Sequence, residues 1–179
     1  MIAATLAGDA AAFDALVRRH YRAAYAVALS VMLNRADAED VCHDAFVRAA
    51  VRLGDCREPD RFVHWLCAIT RNHARNMLAR HAVRRASQLD HASATSGEDS
   101  ARDAERSELR AQLEAALSAL SPTQREVVLL HDLDDWTHDS IAAQLGTSAG
   151  MSRQHLFHAR RRLRELLGAG LSKEYFNDR

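Results

Sequence analysis

The sequence predicts an all-α fold in which a flexible linker joins two small helical domains. Only 2 prolines and 7 glycines interrupt 179 residues, and apolar residues recur at three- and four-residue spacing in both halves of the chain, as in amphipathic helices. No run of alternating β-branched residues predicts a strand. The stretch from 86 to 107 is rich in Ser, Asp and Ala and has almost no apolar content, which is typical of a linker.

The first domain is expected to span residues 1–85 and to consist of helices. An apolar stripe over 13–31 predicts a helix of about five turns. Asp37 is the expected N-cap of the next helix, which should run to about residue 53. After a loop over 54–59, a third helix should begin near residue 60 and end near residue 85.

The third helix is expected to bury its aromatic residues. Phe62 and Trp65 lie on the same apolar stripe as Leu66 and Ile69. Both aromatic residues are therefore predicted to belong to the core rather than to form a platform for stacking bases.

The second domain is expected to span residues 108–168, followed by a tail over 169–179. Ser121, Pro122 and Gln124 combine a capping box with proline at the first helical position. Thr137 should cap a short helix that Gly146 ends, and a long last helix should then begin at a Ser148 cap and reach about residue 167. Two helices joined by a tight turn that contains glycine predict a helix-turn-helix motif.

The charges are unevenly distributed although the net charge is zero. Residues 1–85 carry 13 arginines and 9 acidic residues, whereas residues 86–120 carry 3 arginines and 7 acidic residues. Of the 24 basic residues, 23 are arginine, whose planar guanidinium suits phosphates and base edges. This distribution keeps nucleic-acid binding open.

The last helix of the second domain carries the predicted recognition face. An apolar face is formed by Leu156, Ala159, Leu163 and Leu167. The opposite face presents Gly150, Arg153, Gln154, Phe157, His158 and Arg161. Such a face suits the major groove of DNA. The alternative is a solvated basic face, and the capped short helix and glycine turn before it favour DNA recognition.

A second basic set follows the aromatic residues of the first domain. It has five arginines and no acidic residue within fifteen positions, and comprises Arg71, Asn72, His73, Arg75, Asn76, Arg80, His81, Arg84 and Arg85. Arginines beside exposed amides fit contacts with a nucleic-acid backbone and with unstacked bases. The alternative is again a basic surface helix.

Other classes of function are weakly supported. The sequence has no phosphate-binding loop, dinucleotide-binding glycine pattern, nucleophile elbow or HExxH motif, so we expect no enzyme and no cofactor. Two His-containing pairs, His64 with Cys67 and His155 with His158, could each offer only two metal ligands, so no metal site is expected.

Cellular location is also predicted from the sequence. Three cysteines without a CxxC pair indicate a reducing compartment. Neither a signal peptide nor an apolar run of membrane-spanning length is visible, which predicts a cytoplasmic protein without membrane insertion.

Both halves of the chain resemble one family. The stretches GDAAAFDALVRRHY, DAEDVCHDAFVRAA and RFVHWLCAITRNHARNML are similar to successive parts of region two of the extracytoplasmic-function (ECF) sigma factors, which bind bacterial RNA polymerase. The stretch from ALSALSPTQ to ARRRLREL is similar to their region four. The resemblance covers nearly the whole chain except the linker and the tail.

The resemblance implies three functional surfaces. The polymerase-binding surface would comprise Asp40, His43, Asp44 and Arg48. The surface for the minus-ten promoter element would include a base-capturing loop over 54–59 and comprise Cys56, Arg71, Asn72, Arg75, Asn76 and Arg80. The recognition face on the last helix would read the minus-thirty-five element.

The resemblance also implies partners, and it has departures. Core RNA polymerase and promoter DNA are the implied partners, together with an anti-sigma factor. The family usually has Gln-Glu where this chain has His43 and Asp44, and Met151, Ser152 and His155 replace its more common Thr, Val and Arg. These departures concern promoter specificity more than fold.

Two other functions remain open at the level of the sequence. One is a stand-alone helix-turn-helix regulator that binds a palindromic DNA site as a dimer without polymerase. The other is a helical adaptor whose basic faces bind acidic partners.

Overall fold

Eight α-helices occupy most of the residues that the computed structural model describes, which are 1–87 and 101–175, with side chains over 1–84 and 107–168. The helices are α1 (Ile2–Leu6), α2 (Ala10–Met32), α3 (Arg35–Val51), α4 (Phe62–Ser87), α5 (Ala101–Ser118), α6 (Pro122–Asp134), α7 (His138–Leu145) and α8 (Ala149–Tyr175). Two 3-10 turns, Leu53–Asp55 and Pro59–Arg61, lie between α3 and α4. These ranges contain no strand, which confirms the predicted all-α class.

The helices extend further into the expected linker than its composition predicted. Helix α4 continues to Ser87, and α5 already begins at Ala101, because the sequence from 101 onward is rich in Ala, Arg and Glu, which favour helix. The rest of the expected linker, 88–100, lies outside the described residues.

The cap of α3 differs from the prediction. Asn34, rather than Asp37, is the N-cap, and its side-chain oxygen accepts a hydrogen bond from the Asp37 backbone N–H at 2.8 Å. Asp37 lies in the first turn, where its carboxylate accepts a hydrogen bond from the Asn34 amide at 2.7 Å. Asn and Asp are about equally good caps. The left-handed backbone of Leu33, with φ 64°, ends α2. Asn34 is therefore the first residue that can cap α3.

The predicted capping box of α6 is confirmed. The Ser121 hydroxyl accepts from the Gln124 backbone N–H at 3.3 Å, while the Gln124 side chain accepts from the Ser121 N–H at 3.1 Å. The reciprocal bonds satisfy two backbone donors at the start of the helix.

The caps of the helix-turn-helix are also confirmed. Thr137 caps α7 by accepting from the Ser140 N–H at 3.2 Å, and Gly146 ends this helix with φ 66°. Ser148 caps α8 by accepting from the Met151 N–H at 3.2 Å. Gly168 has φ 75° and ψ 167°, so the helical geometry of α8 is interrupted close to its predicted end.

Helix α2 lies at the centre of the molecule. It packs against α3 and α4 of the first half of the chain and against α6 of the second half. Its middle segment is buried around much of its circumference, at Ala23, Ala24, Ala26, Val27 and Ala28. Small side chains at most of these positions allow α3, α4 and α6 to approach α2 closely.

The N-terminal module, α1–α4, and the C-terminal module, α5–α8, share a hydrophobic core. Ala23, Val27 and Cys67 of the N-terminal module pack in one cluster with C-terminal residues, among them Leu117, Leu120, Val127, Leu130, Ile141, Leu156, Ala159 and Leu163. Two further clusters lie within the N-terminal module. The two predicted domains are therefore docked on each other, which composition and periodicity did not predict.

Over the described ranges, no helix is both long enough and apolar enough to cross a membrane.

Leu130→Ala should lower the free energy of unfolding by about 2–5 kcal/mol, because the side chain is fully buried in the shared core and its loss leaves a cavity. Leu133→Ala, on the same helix but 36% exposed, is the matched control and should cost less than about 1 kcal/mol. Urea denaturation followed by circular dichroism measures both. Equal losses in the two variants would show that the shared core is not closed in solution.

Candidate functional surfaces

One face of α3 is exposed along its length. Asp40, His43, Asp44 and Arg48, the residues implied to bind polymerase, all lie on it. Helical spacing adds Val47 and Val51 to the same face, and these valines are 51% and 83% exposed. Sequence reasoning missed both valines, although the three-residue spacing of Val47 from Asp44 and of Val51 from Arg48 could have identified them. We call these six residues the α3 face.

Asp44 differs from the rest of the α3 face because it also contacts a buried residue of α4. Its carboxylate lies 3.0 Å from Nε2 of His73, whose side chain is buried. His73 therefore binds within the N-terminal module rather than facing nucleic acid. Asp40 and Arg48 are exposed, which makes them better probes of binding.

An open cavity of about 360 Å³ lies beside the loop before α4. It is lined by Asp55, Cys56, Arg57, Glu58, Arg61, His64 and Trp65. The predicted core position of Phe62 is confirmed, but Trp65 is only half-buried: it packs against Phe62 at 5.9 Å between ring centroids and also lines the cavity. An aromatic wall beside polar groups has the chemistry needed to hold an unstacked base.

The predicted minus-ten residues of α4 are divided by the docking of the modules. Asn72, Arg75, Asn76 and Arg80 are exposed. Arg71 instead forms a buried double hydrogen bond with Glu126 of α6: Nε lies 3.2 Å from Oε2, and Nη2 donates to Oε1. Arg71 and Arg75 both line a cleft of about 450 Å³ between the modules.

Electrostatics favour this pairing. Burial alone lowers the pKa of the Arg71 guanidinium, but the hydrogen bonds and the charge of Glu126 outweigh burial and raise the net pKa above its ordinary value. A bidentate Arg–carboxylate pair is among the stronger polar contacts in proteins. In this arrangement the Arg71 guanidinium is engaged by the other module.

Further polar contacts cross the junction between the modules. The buried Arg125 donates from Nη1 to the Ser30 carbonyl at 2.7 Å. Arg22 donates to the Leu133 carbonyl, and Nδ1 of His64 lies 2.8 Å from Oε1 of Gln144. His64 also lines the cavity beside Trp65, so one residue belongs to both the junction and the cavity.

Arg125 has an incomplete set of partners. Its Nη2 donates to the Leu120 carbonyl at 3.1 Å, but its buried Nε has no hydrogen-bond partner in the described part of the chain. Burial lowers the pKa of this guanidinium. A buried cation bonded to neutral carbonyls is costly, so this contact weakens the junction relative to an apolar one.

The recognition face of α8 has the exposure expected of a binding surface. Gly150, Arg153, Gln154, Phe157 and Arg161 are exposed, and His158 is half-buried. Phe157 is 59% exposed, which is uncommon for so large an apolar side chain. On the opposite face, Leu156, Ala159 and Leu163 are buried, as predicted.

Two of the three thiols are buried in apolar surroundings. Burial raises the pKa of Cys42 to about 12 and also raises the pKa of Cys67. Neither thiol is therefore poised to form a thiolate, which a redox sensor requires. Among the described residues, no group of three or more His, Cys, Asp or Glu side chains could hold a metal ion.

Comparison with protein families gives two matches in this chain. Residues 16–84 match the model of Sigma-70 region 2, and residues 110–163 match the model of Sigma-70, region 4. The two matches occur in the same order as the N-terminal and C-terminal modules.

Curated relatives match over most of the chain. The RNA polymerase sigma factor CarQ of Myxococcus xanthus is 34% identical over 88% of this chain and 90% of its own length. The probable RNA polymerase sigma factor RfaY of Xanthomonas campestris pv. campestris is 35% identical over 90% of this chain, which spans only 42% of that protein.

A solved structure shares the arrangement of the modules. The structure of CnrH in complex with the cytosolic domain of CnrY is 29% identical in sequence and superposes with a TM-score of 0.68. The similarity covers 94% of this chain and 96% of CnrH. The likeness therefore extends across both modules.

Replacing Arg71 and Glu126 by Ala, singly and together, should reveal a coupling of about 1–3 kcal/mol in the free energy of unfolding, because either single change leaves a buried charge without its partner. The same cycle on Arg35 and Glu39, an exposed Arg–Glu pair at 2.6 Å, is the matched control and should give a smaller coupling. Additive effects at Arg71 and Glu126 would contradict a closed junction.

Proposed function

The chain belongs to the ECF sigma factors, and from this membership we propose that it binds core RNA polymerase and directs it to promoter DNA through the three surfaces described above. The observation that carries the proposal is the presence of both regions, in order, each with an exposed face of suitable chemistry. The role is binding and positioning, without enzymatic chemistry of its own.

We assign polymerase binding to the α3 face. Its charged residues can set the orientation of the partner, while Val47 and Val51 offer apolar area at the centre and the end of the α3 face. The core of a protein interface is more apolar than its rim, and charged residues around it contribute to specificity and association rate. The exposed valines support this assignment, because a solvated helix face has no need of them.

We assign minus-ten recognition to the cavity beside Trp65 and to the exposed residues of α4. Trp65 can stack on a base that leaves the duplex, while Asn72, Arg75 and Asn76 contact the strand. Extruding a base costs a few kcal/mol. Stacking on an aromatic side chain returns about 1–3 kcal/mol per base, so a cavity of this kind helps to keep DNA melted without catalysis.

We assign minus-thirty-five recognition to the recognition face of α8. Arg153 and Gln154 lie in its first turns, where an HTH helix contacts base edges, and both side chains are exposed. Phe157 offers an apolar contact of the kind that a thymine methyl group accepts.

We infer that the described arrangement is a closed state that must open on the polymerase. Arg71 is bound to Glu126, and His64, at the edge of the base cavity, is bound to Gln144. Full use of the minus-ten surface therefore requires the modules to separate. The incomplete bonding of Arg125 favours separation, and differential binding of polymerase to the open state would supply the remaining free energy.

An anti-sigma factor is also proposed as a partner. CnrH was solved with the cytosolic domain of CnrY. A protein that bound both modules of this chain at once would stabilise the closed state and keep Arg71 from DNA.

The alternatives account for less of the chain. A stand-alone helix-turn-helix regulator leaves the region 2 module and the exposed α3 face without a role. A helical adaptor does not account for the two family matches.

The purified chain should co-elute stoichiometrically with bacterial core RNA polymerase on a sizing column at physiological salt. Combined Asp40→Ala and Arg48→Ala substitutions should weaken this binding by about tenfold or more, because both charges are lost from the α3 face.

The matched control for this experiment is Asp14→Ala with Arg18→Ala, an exposed Asp–Arg pair on α2 at 2.8 Å, which should leave binding unchanged. Asp44 is not substituted because it also bonds the buried His73. Failure of the folded wild-type chain to co-elute would overturn the sigma-factor proposal.

Arg153→Ala should cost the reconstituted holoenzyme about 1–3 kcal/mol in promoter affinity and relax its preference at one base pair of the minus-thirty-five element. Selection from a DNA library randomised over that element measures both effects. Arg110→Ala, an exposed arginine on α5, is the control. Unchanged discrimination in the Arg153 variant would show that this residue does not read a base.

A further inference from the structure

A basic cavity lies beside the recognition face, between α6, α7 and α8. Its open volume is about 440 Å³, and its lining comprises His131, His138, Arg153, Leu156, Phe157, Arg160 and Arg164. Five of these seven side chains are basic. None of the surfaces assigned above includes the two histidines.

The histidines are held side by side. Their ring centroids are 5.0 Å apart and the rings are inclined by 32°. His131 uses Nδ1 to contact the Asp132 carboxylate at 2.9 Å, and His138 uses Nδ1 to contact the buried Ser152 hydroxyl at 3.0 Å. Since each ring is positioned through Nδ1, Nε2 is the nitrogen that each can offer to a ligand.

The cavity is short of negative charge. The Asp132 carboxylate contacts His131, and it already accepts hydrogen bonds from Arg160 at 2.7 Å and 3.4 Å. Arg153 adds a further positive charge from the first turns of α8. An anion that entered the cavity would meet donors on three helices, while the Asp132 carboxylate is already engaged by Arg160 and His131.

We propose that this cavity binds a backbone phosphate of promoter DNA, and that His138 takes up a proton as it does so. This inference rests on the proposed minus-thirty-five surface and deepens it. DNA is favoured over a free anion because Arg153 and Phe157 belong both to the cavity and to the recognition face, so a duplex seated on α8 brings a phosphodiester to the cavity. Phosphate contacts of this kind position a protein on DNA without reading its sequence.

The direction of the proton linkage follows from the surroundings of His138. Burial is the largest cause that lowers its pKa, and the charges of His131, Arg153 and Arg160 lower it further, whereas Asp139 acts in the opposite direction. The free cavity therefore favours neutral His138 near physiological pH. A bound phosphate stabilises the imidazolium, so the pKa rises on binding. Affinity for DNA is then higher at low pH and falls as the pH rises through the pKa of the bound state.

The test uses the full chain without polymerase, so that it is independent of co-elution. The probes are a mixed-sequence DNA duplex of about 20 base pairs at low salt and, separately, inorganic phosphate. NMR of the histidine Cε1–H resonances reports the pKa of His138, and fluorescence anisotropy reports duplex affinity. We expect the duplex to raise this pKa, and affinity to be several-fold higher at about pH 6 than at about pH 8, below the limit of about tenfold that a rise of about one in a single pKa sets.

Matched variants identify the group responsible. His138→Gln should remove most of the pH dependence. His20→Gln should retain it, because His20 lies on α2 away from the cavity although burial lowers its pKa too. If His138→Gln does not fold, His131→Gln, which leaves the contact between His138 and Ser152 in place, should still weaken duplex binding at about pH 6.

Three results would overturn the proposal. The first is duplex binding that leaves the pKa of His138 unchanged. The second is no duplex binding by the folded wild-type chain. The third is an equal effect of inorganic phosphate at matched concentration, which would identify a site for free anions rather than DNA. Each of these results leaves co-elution with polymerase intact, whereas loss of co-elution alone would overturn the proposed function and leave this cavity as a DNA contact.

Discussion

Burial of α2 by the cores of both modules is the constraint on which the rest of the structure depends. Ala23 and Val27 belong to the core shared with the C-terminal module, whereas Ala24 and Ala28 belong to the two cores of the N-terminal module. Alanine adds no rotamer entropy and lets helices approach closely. A larger side chain at these positions would have to displace one neighbour. One helix thus fixes the position of the α3 face relative to the recognition face.

The junction between the modules combines apolar and polar contacts that oppose opening to different extents. The shared core opposes separation, since opening would expose Leu130, Ile141 and their neighbours to water. The polar contacts oppose it less, because Arg71, Glu126 and Arg125 would all recover hydration. Interfaces between domains are commonly of this mixed kind and permit relative motion. The closed state is therefore stable enough to form and still accessible to a partner that binds the open one.

The sequence predicted most features that depend on neighbouring residues. The caps at Ser121, Thr137 and Ser148 and the turn at Gly146 involve residues at most six positions apart, so local patterns were sufficient. The cap of α3 was misassigned because Asn34 and Asp37 are chemically equivalent candidates and only the backbone at Leu33 decides between them.

Features that join distant parts of the chain were not predictable in this way. Arg71 and Glu126 are 55 positions apart, and no local pattern relates them. The sequence therefore predicted that Arg71 is an exposed DNA contact, although docking of the modules buries it against Glu126. Trp65 read as core because its stripe is apolar, yet the stripe ends at a loop that leaves one side of the ring open. In the candidate sites, sequence predicted which faces are polar but not which of their members another module would cover.

The three cysteines differ in burial, so their reactivity toward a thiol reagent reports different motions of the protein. Cys56 lies at the edge of a surface cavity, Cys67 lies in the core shared by the modules, and Cys42 lies inside the N-terminal module. A thiol-modifying reagent would therefore reach Cys56 directly, Cys67 only after separation of the modules, and Cys42 only after loss of the N-terminal core. When the modules open and close faster than the reagent reacts, the rate at which Cys67 is modified equals the rate for a free thiol multiplied by the fraction of open molecules. The modification rate of Cys67 thus reports the fraction of molecules in which the modules are separated, without any added label.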